Sequence, residues 1–379
     1  MNIKSLSVIV VITILTFSAL YAPQPLLPVF SSEFLITKSV AALMTTFTLL
    51  PLSFSPFIYG FILESVSARK MIIVSVFLLS MTEILVYFSH SFNTLLAIRL
   101  LQGFLIPAVL TSLMTYVSKL SESKKLQKSI SLYISATIVG GFLGRAVSGF
   151  ISYNFGWRYS FFILFISLFL SVFLLLKLKE DVRVSNQKIK FQDVVSILKI
   201  RKIFFSYLGI FFLFSSFAGL LNFLPARVTE TYYTSNEFKI GLLYSGYLVG
   251  VLMSFFSAKM VARFGYKNIF RWGVGLFFIS IWVFFIPSIF VYYMNMFLLC
   301  GSMFLVHSSL SGFVNKFGGE KKGILNGLYV SFYYSGGVVG SYFPGVVYEI
   351  FGWNAFLSVL IFFSVLSFSF LSNRFHNEY

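Results

Sequence analysis

The chain has 379 residues, of which 58% are hydrophobic and 11% charged, with a formal net charge of +17. Soluble domains carry about 25% charged residues, so a soluble enzyme is excluded, and the mean hydropathy of +0.89 agrees. The basic excess does not describe a nucleic-acid surface, because the charges sit in short loops between apolar runs of about 20 residues, enough to cross a hydrocarbon core of about 30 Å.

In chain order, Lys4 precedes the first apolar run, which superficially resembles a signal peptide. The run continues to about residue 30 without a clear small-residue cleavage site, so it reads as a first span over 6–30. Further segments at 39–62, 71–90, 93–117, 128–152 and 159–176 complete a set of six. The longest polar stretch follows, and then six more segments at 203–226, 238–262, 268–288, 290–313, 322–348 and 354–372. The pattern predicts an all-α polytopic membrane protein with twelve transmembrane helices. Residues 1–177 form an N-terminal six-helix bundle, 178–202 a cytoplasmic basic linker, and 203–379 a C-terminal six-helix bundle.

Lys and Arg placement tests that count. With a cytoplasmic N-terminus, 23 of the 29 basic residues fall on the cytoplasmic side and four on the other, while Arg99 and Arg145 lie inside spans. One missed helix would scramble this alternation. Both termini are therefore expected in the cytoplasm.

The two halves also repeat. Gly140, Gly141, Gly144, Gly149 and Phe155-Gly156-Trp157 recur as Gly336, Gly337, Gly340, Gly345 and Phe351-Gly352-Trp353, all at an offset of 196 without a gap. Duplication of six-helix halves predicts two pseudo-symmetric bundles. Gly140, Gly144, Gly337 and Gly340 form flat stripes that let another backbone approach closely. They suit a moving interface between halves, helped in the eleventh span by Pro344, or a tight static contact.

Motifs for soluble chemistry are lacking. No Gly-x-x-x-x-Gly-Lys-Ser/Thr phosphate loop occurs, the single Cys300 permits no internal disulfide, and His90, His307 and His376 have no metal-ligand spacing. No enzyme activity, metal or cofactor is expected.

The chain resembles the major facilitator superfamily over nearly its whole length. Gly60, Glu64, Arg69 and Lys70 fit the family's signature loop after the second span, with Ser65 and Ser67 in place of Arg and Gly. Its C-terminal counterpart keeps Arg263, Gly265 and Lys267, with Ala262 at the acidic position. Arg99-Leu100-Leu101-Gln102-Gly103 fits the family's Arg-x-x-Gln-Gly pattern. Gly140 and Gly144 fit the antiporter motif of the fifth span, where Gly141 replaces Pro and Arg145 the last Gly. Tyr21 to Pro28 looks like the broken first helix of bacterial efflux members.

The resemblance implies a monomeric secondary transporter in the plasma membrane, exporting a small amphipathic or drug-like molecule in exchange for protons by alternating access. Proton-coupled uptake or facilitated diffusion of a sugar or organic anion is the alternative, and a sensor that moves no solute is a remote one. Glu64, Arg69 and Lys70 are then expected beside the end of the eighth or eleventh span as a gating latch.

Buried polar groups are the remaining candidates, because charge in hydrocarbon is costly. Glu83 and Arg99 lie eight residues either side of Ser91, at equal depth on antiparallel neighbours, so they pair either for proton coupling or to fasten the hairpin. Gln102, one turn from Arg99, bonds to either partner. Arg145 stands near the cavity or outer gate, or snorkels to the headgroups. His307, Gln24 and Asn222 are candidates for protonation or solute bonding, or ordinary packed polar residues.

Overall fold

Proline and glycine set the joints of this fold, and apolar helices fill the distance between them. The computed structural model describes residues 3–121, 123–178, 191–232, 236–316 and 322–372. Helices α1 (Ile3–Tyr21), α2 (Leu27–Glu33), α3 (Lys38–Ser65), α4 (Ala68–Phe88), α5 (Phe92–Leu120), α6 (Ser123–Phe155) and α7 (Trp157–Leu176) build the N-terminal half. A linker helix α8 (Phe191–Leu198) precedes α9 (Arg201–Tyr232), α10 (Glu237–Leu243), α11 (Tyr247–Val283), α12 (Ile289–Lys316) and α13 (Lys322–Ser372).

Ten helical tracts among the described residues are long and apolar enough to cross a membrane. Two of them, Glu237–Val283 and Gly323–Ser372, run 47 and 50 residues, more than twice the roughly 20 that a bilayer needs. Each folds back at a glycine with left-handed backbone, Gly265 (φ 77°) and Gly352 (φ 81°), so each makes two passes. The twelve predicted spans are therefore present, six per half.

The repeated Phe-Gly-Trp has a geometric cause. Gly156 (φ 94°) and Gly352 (φ 81°) adopt the region that side chains with Cβ rarely enter, and each turns one pass into the next. The tryptophans that follow anchor the turns: Trp157 donates to Glu33 Oε2 at 2.5 Å, and Trp353 donates to the Phe284 carbonyl at 3.0 Å.

The first pass is broken. Pro23, Pro25 and Pro28 remove backbone donors, and α1 gives way to a 3-10 turn at Gln24–Leu26 before α2 resumes. The eighth pass breaks similarly at a 3-10 turn, Tyr244–Gly246, between α10 and α11. Helix α8, inside the linker, was not anticipated. Its Ile197, Val194 and Leu198 pack on the C-terminal core, so the second half of the linker is a docked amphipathic helix.

The glycine stripes settle inside each half. A Cβ on Gly144 would stand 2.5 Å from Ser18 Cα, and one on Gly140 2.6 Å from the Ile14 carbonyl oxygen, so α6 lies directly on α1. Gly336 and Gly340 lie as closely on Phe211 and Ser215 of α9. Of the stripe glycines, Gly140, Gly144 and Gly340 thus make a tight contact within their own half, not one between halves; the same register marks the first-to-fifth contact and its seventh-to-eleventh counterpart. Gly337 reaches both ways, toward Phe214 of its own half and Leu49 of the other. Gly103 seats α5 against Thr48 and Pro51 of α3. Between the halves, α10 meets α6, where a Cβ on Gly241 would stand 2.7 Å from the Arg145 carbonyl oxygen, and α13 meets α3.

Candidate functional site

A polar layer links the two halves at the level of the helix breaks. Gln24, Thr46, Arg145, Asn222 and Ser341 each lie roughly eight to ten residues, about 12–15 Å, from the end of their pass opposite the basic loops. That depth is near the middle of a hydrocarbon core of about 30 Å. Arg145 Nε donates to Gln24 Oε1 at 2.6 Å, and Gln24 Nε2 donates to Asn222 Oδ1 at 2.6 Å. Asn222 Nδ2 then donates to the Ser341 carbonyl at 3.3 Å, while the Ser341 and Thr46 hydroxyls bond at 2.7 Å.

Around Arg145 stands an aromatic cage drawn from both halves. Its guanidinium carbon lies 4.1 Å from the centre of the Tyr21 ring, 4.7 Å from Tyr244 and 4.6 Å from Tyr247. Arg145 is fully buried, so it does not snorkel to the headgroups. The breaks in the first and eighth passes make this possible, because they deliver Gln24 and Tyr244 to one depth.

Beyond this layer, on the face opposite the basic loops, the halves are clasped. Lys38 pairs with Glu230 and lies 4.3 Å from the Tyr348 ring centre, and Tyr348 donates to Glu230 Oε2 at 2.6 Å. Glu349 accepts from the Ser39 backbone N–H at 2.8 Å and from its hydroxyl at 2.7 Å. Toward the basic face, Tyr333, Tyr334 and His307 are half-buried, with Tyr333 stacked 3.7 Å from Phe214 and Tyr334 touching the cores of both halves. His307 Nδ1 bonds Tyr329 Oη at 3.0 Å, which makes it a packed polar residue at the edge of this aromatic wall.

Arg99 has a different setting. Its Nε donates to the Met44 carbonyl at 2.9 Å, Nη1 to the Ala19 carbonyl at 3.1 Å and to Gln102 Oε1 at 2.5 Å, and Nη2 to the Leu20 carbonyl at 2.7 Å. The Ala19 carbonyl would normally bond the N–H four residues on, which is Pro23 and has none. Arg99 therefore caps the broken first pass and ties it to α3. Gln102 Nε2 donates to Glu83 Oε1 and Thr82 Oγ1, both at 3.0 Å. Glu83 and Arg99 thus share one fully buried network, bridged by Gln102 instead of touching directly. Glu83 Oε2 has no hydrogen-bond donor among the described residues.

The signature-loop residues scatter. Arg69 Nη2 donates to the Leu176 carbonyl at 3.0 Å, so it rests on the end of the sixth pass, not on the eighth or eleventh. The Lys70 backbone N–H caps on the Ser67 hydroxyl, and Arg263 is exposed beside Phe264. Gly265 forms the joint already described. The surroundings of Gly60 and the side chain of Glu64 lie outside the described residues.

Residues 9–341 match the family model described as the Major Facilitator Superfamily. The chain belongs to the major facilitator superfamily. As a member of that superfamily it is a membrane transporter and not an enzyme. It is 27% identical to an uncharacterised transporter of Buchnera aphidicola (subsp. Acyrthosiphon pisum), an alignment that covers 96% of this chain and 91% of the relative. It is 27% identical to the uncharacterised MFS-type transporter YybF of Bacillus subtilis, covering 92% and 87%. The quinolone resistance protein NorA of Staphylococcus aureus is 22% identical, covering 86% and 85%. Among solved structures, a mutant form of the nucleoside transporter NupG superposes with a TM-score of 0.80 at 13% identity, covering 98% of this chain and 99% of that one. That likeness establishes the fold of this major facilitator transporter and carries nothing about its solute.

Proposed function

We propose that this transporter exports a small amphipathic solute across the plasma membrane in exchange for protons, by alternating access, as a monomer with both termini in the cytoplasm. The observation that carries the reading is the mid-depth link between halves through Gln24, Asn222 and Arg145, closed by the clasp on one face and bordered by half-buried aromatic side chains on the other. With the basic loops inside, this arrangement is closed outward. The likeness to a quinolone resistance protein supports export. A second reading, uptake of an organic anion, is favoured by Arg145, a buried cation with no carboxylate paired to it among the described residues.

Alternating access requires the clasp to open once per cycle. Ser39→Cys with Glu349→Cys, in a Cys300→Ser background, should lose transport when a short bifunctional thiol reagent joins them, and a monofunctional reagent should not arrest it. Unimpaired transport by the cross-linked protein would refute the rocking mechanism.

Glu83 is the proposed proton carrier, held by Gln102 with one oxygen unengaged among the described residues. Glu83→Gln should retain solute movement down a solute gradient in everted vesicles while losing its response to an imposed pH gradient. An unchanged pH response would remove Glu83 from the coupling path.

A further inference from the structure

The two buried arginines of this transporter are satisfied differently. Every guanidinium nitrogen of Arg99 has an acceptor, and three of its four bonds go to backbone carbonyls. Such an arginine holds structure. Among the described residues, Arg145 bonds only through Nε to Gln24 and through Nη1 to the carbonyl of Gly141 at 2.5 Å, one turn back on its own helix. Its Nη2 is buried with no acceptor among the described residues. Three tyrosine rings surround the cation, and a π face offers weaker compensation for a buried charge than a carboxylate does.

The charge balance leans the same way. The fully buried charged side chains among the described residues are Glu83, Arg99 and Arg145. Glu83 shares a network with Arg99, which leaves Arg145 as the uncompensated charge, and it lies on the surface where the halves meet. The cage continues as an aromatic wall: Tyr247 lies 5.3 Å from Phe304 and 6.0 Å from Phe217, Phe217 lies 6.1 Å from Phe214, and Phe214 stacks on Tyr333. Those rings run from the buried cation to half-buried Tyr333, on the basic-loop side of the polar layer.

The geometry points to an acidic aromatic solute, whose carboxylate seats on Arg145 and whose ring lies along Tyr247, Phe217 and Tyr333. An anion offers Nη2 the acceptor it lacks and neutralises the cation in a water-poor setting, where charge-assisted bonds are strongest. With Nε on Gln24 and Nη1 on the Gly141 carbonyl, a carboxylate takes one charge-assisted bond, from Nη2, beside a cation that arginine's planar fork holds in place. This assignment rests on the reading that solute binds between the halves, and it holds for either direction of transport.

The test uses full-length protein in nanodiscs and reads thermal stabilisation by benzoate, salicylate, naphthoate and indoleacetate, each against its methyl ester and the corresponding amine. At least one acid should bind roughly tenfold or more tighter than its ester, the equivalent of about 1.4 kcal/mol from one charge-assisted bond. Arg145→Gln should erase that preference, and Arg145→Lys should keep part of it, because the charge remains without the fork. Esters or amines that bind as well as the acids, an acid preference that survives Arg145→Gln, or no stabilisation by any acid would each overturn the assignment. The acid-over-ester comparison in the unaltered protein stands even if a variant fails to fold. Export is scored separately, by flux of the bound acid in everted vesicles: binding without flux refutes the export reading and leaves the anion site intact.

Discussion

Arg99→Ala is expected to lower the yield of folded protein more than any other change to a buried charge in this chain. The side chain makes four hydrogen bonds, to carbonyls of α1 and α3 and to Gln102. Hydrogen bonds to charged groups contribute about 1.5–3 kcal/mol each, and removing one partner of a buried charged network costs about 3–5 kcal/mol. Alanine would leave the Ala19 and Leu20 carbonyls without a donor and Glu83 without its cation. Arg99→Lys keeps the charge, but one ammonium cannot span acceptors on two helices and on Gln102. Glu83→Gln, by contrast, still offers an amide oxygen to Gln102. The expected order of thermal midpoints in detergent is wild type, then Glu83→Gln, then Arg99→Lys, with Arg99→Ala lowest. A wild-type midpoint for Arg99→Lys would show that the planar fork is not needed to hold the first pass, and would overturn this account of Arg99.

The Arg99 case also shows where the sequence stops being informative. Equal spacing about Ser91 placed Glu83 and Arg99 at one depth, and the structure brings them into one network. The acceptors of Arg99 are mostly backbone carbonyls, which carry no side-chain signal. The clue was Pro23, because a proline inside a span orphans the carbonyl four residues before it, and a donor must come from elsewhere. The twelve passes were legible because loop charge alternates with every crossing, independently of helix edges. Partner assignment for the glycines was not, since a repeat reports that two stripes are equivalent without saying what they face. The repeat does carry one signal for the site: at the offset of 196, Arg145 corresponds to Ser341, and both positions lie in the layer that joins the halves. The clasp of Lys38, Ser39, Glu230 and Glu349 joins residues about 200 to 300 apart, and no local pattern marks it.

Gly144→Ala should destabilise the protein, and Gly275→Ala should not, although both glycines sit within apolar helices. A Cβ at Gly144 would stand 2.5 Å from Ser18 Cα and 2.6 Å from its carbonyl oxygen. These are backbone atoms of a neighbouring helix, so no rotamer change relieves the clash and α1 must move away from α6. Overpacking of this kind costs typically about 1–3 kcal/mol. The displacement also pulls on the Ser18 hydroxyl, which donates to the Gly140 carbonyl at 3.1 Å. It shifts Tyr21 and Gln24 as well, since they follow Ser18 on the same pass, and so loosens the cage on Arg145. A Cβ at Gly275 meets no heavy atom within 4 Å. Alanine there gains about 0.5–1 kcal/mol from helix propensity. Thermal midpoints of the two variants should therefore move in opposite directions, and only Gly144→Ala should reduce solute flux. Equal midpoints would mean that α1 and α6 tolerate separation, and the close approach at Gly144 would no longer explain the glycine.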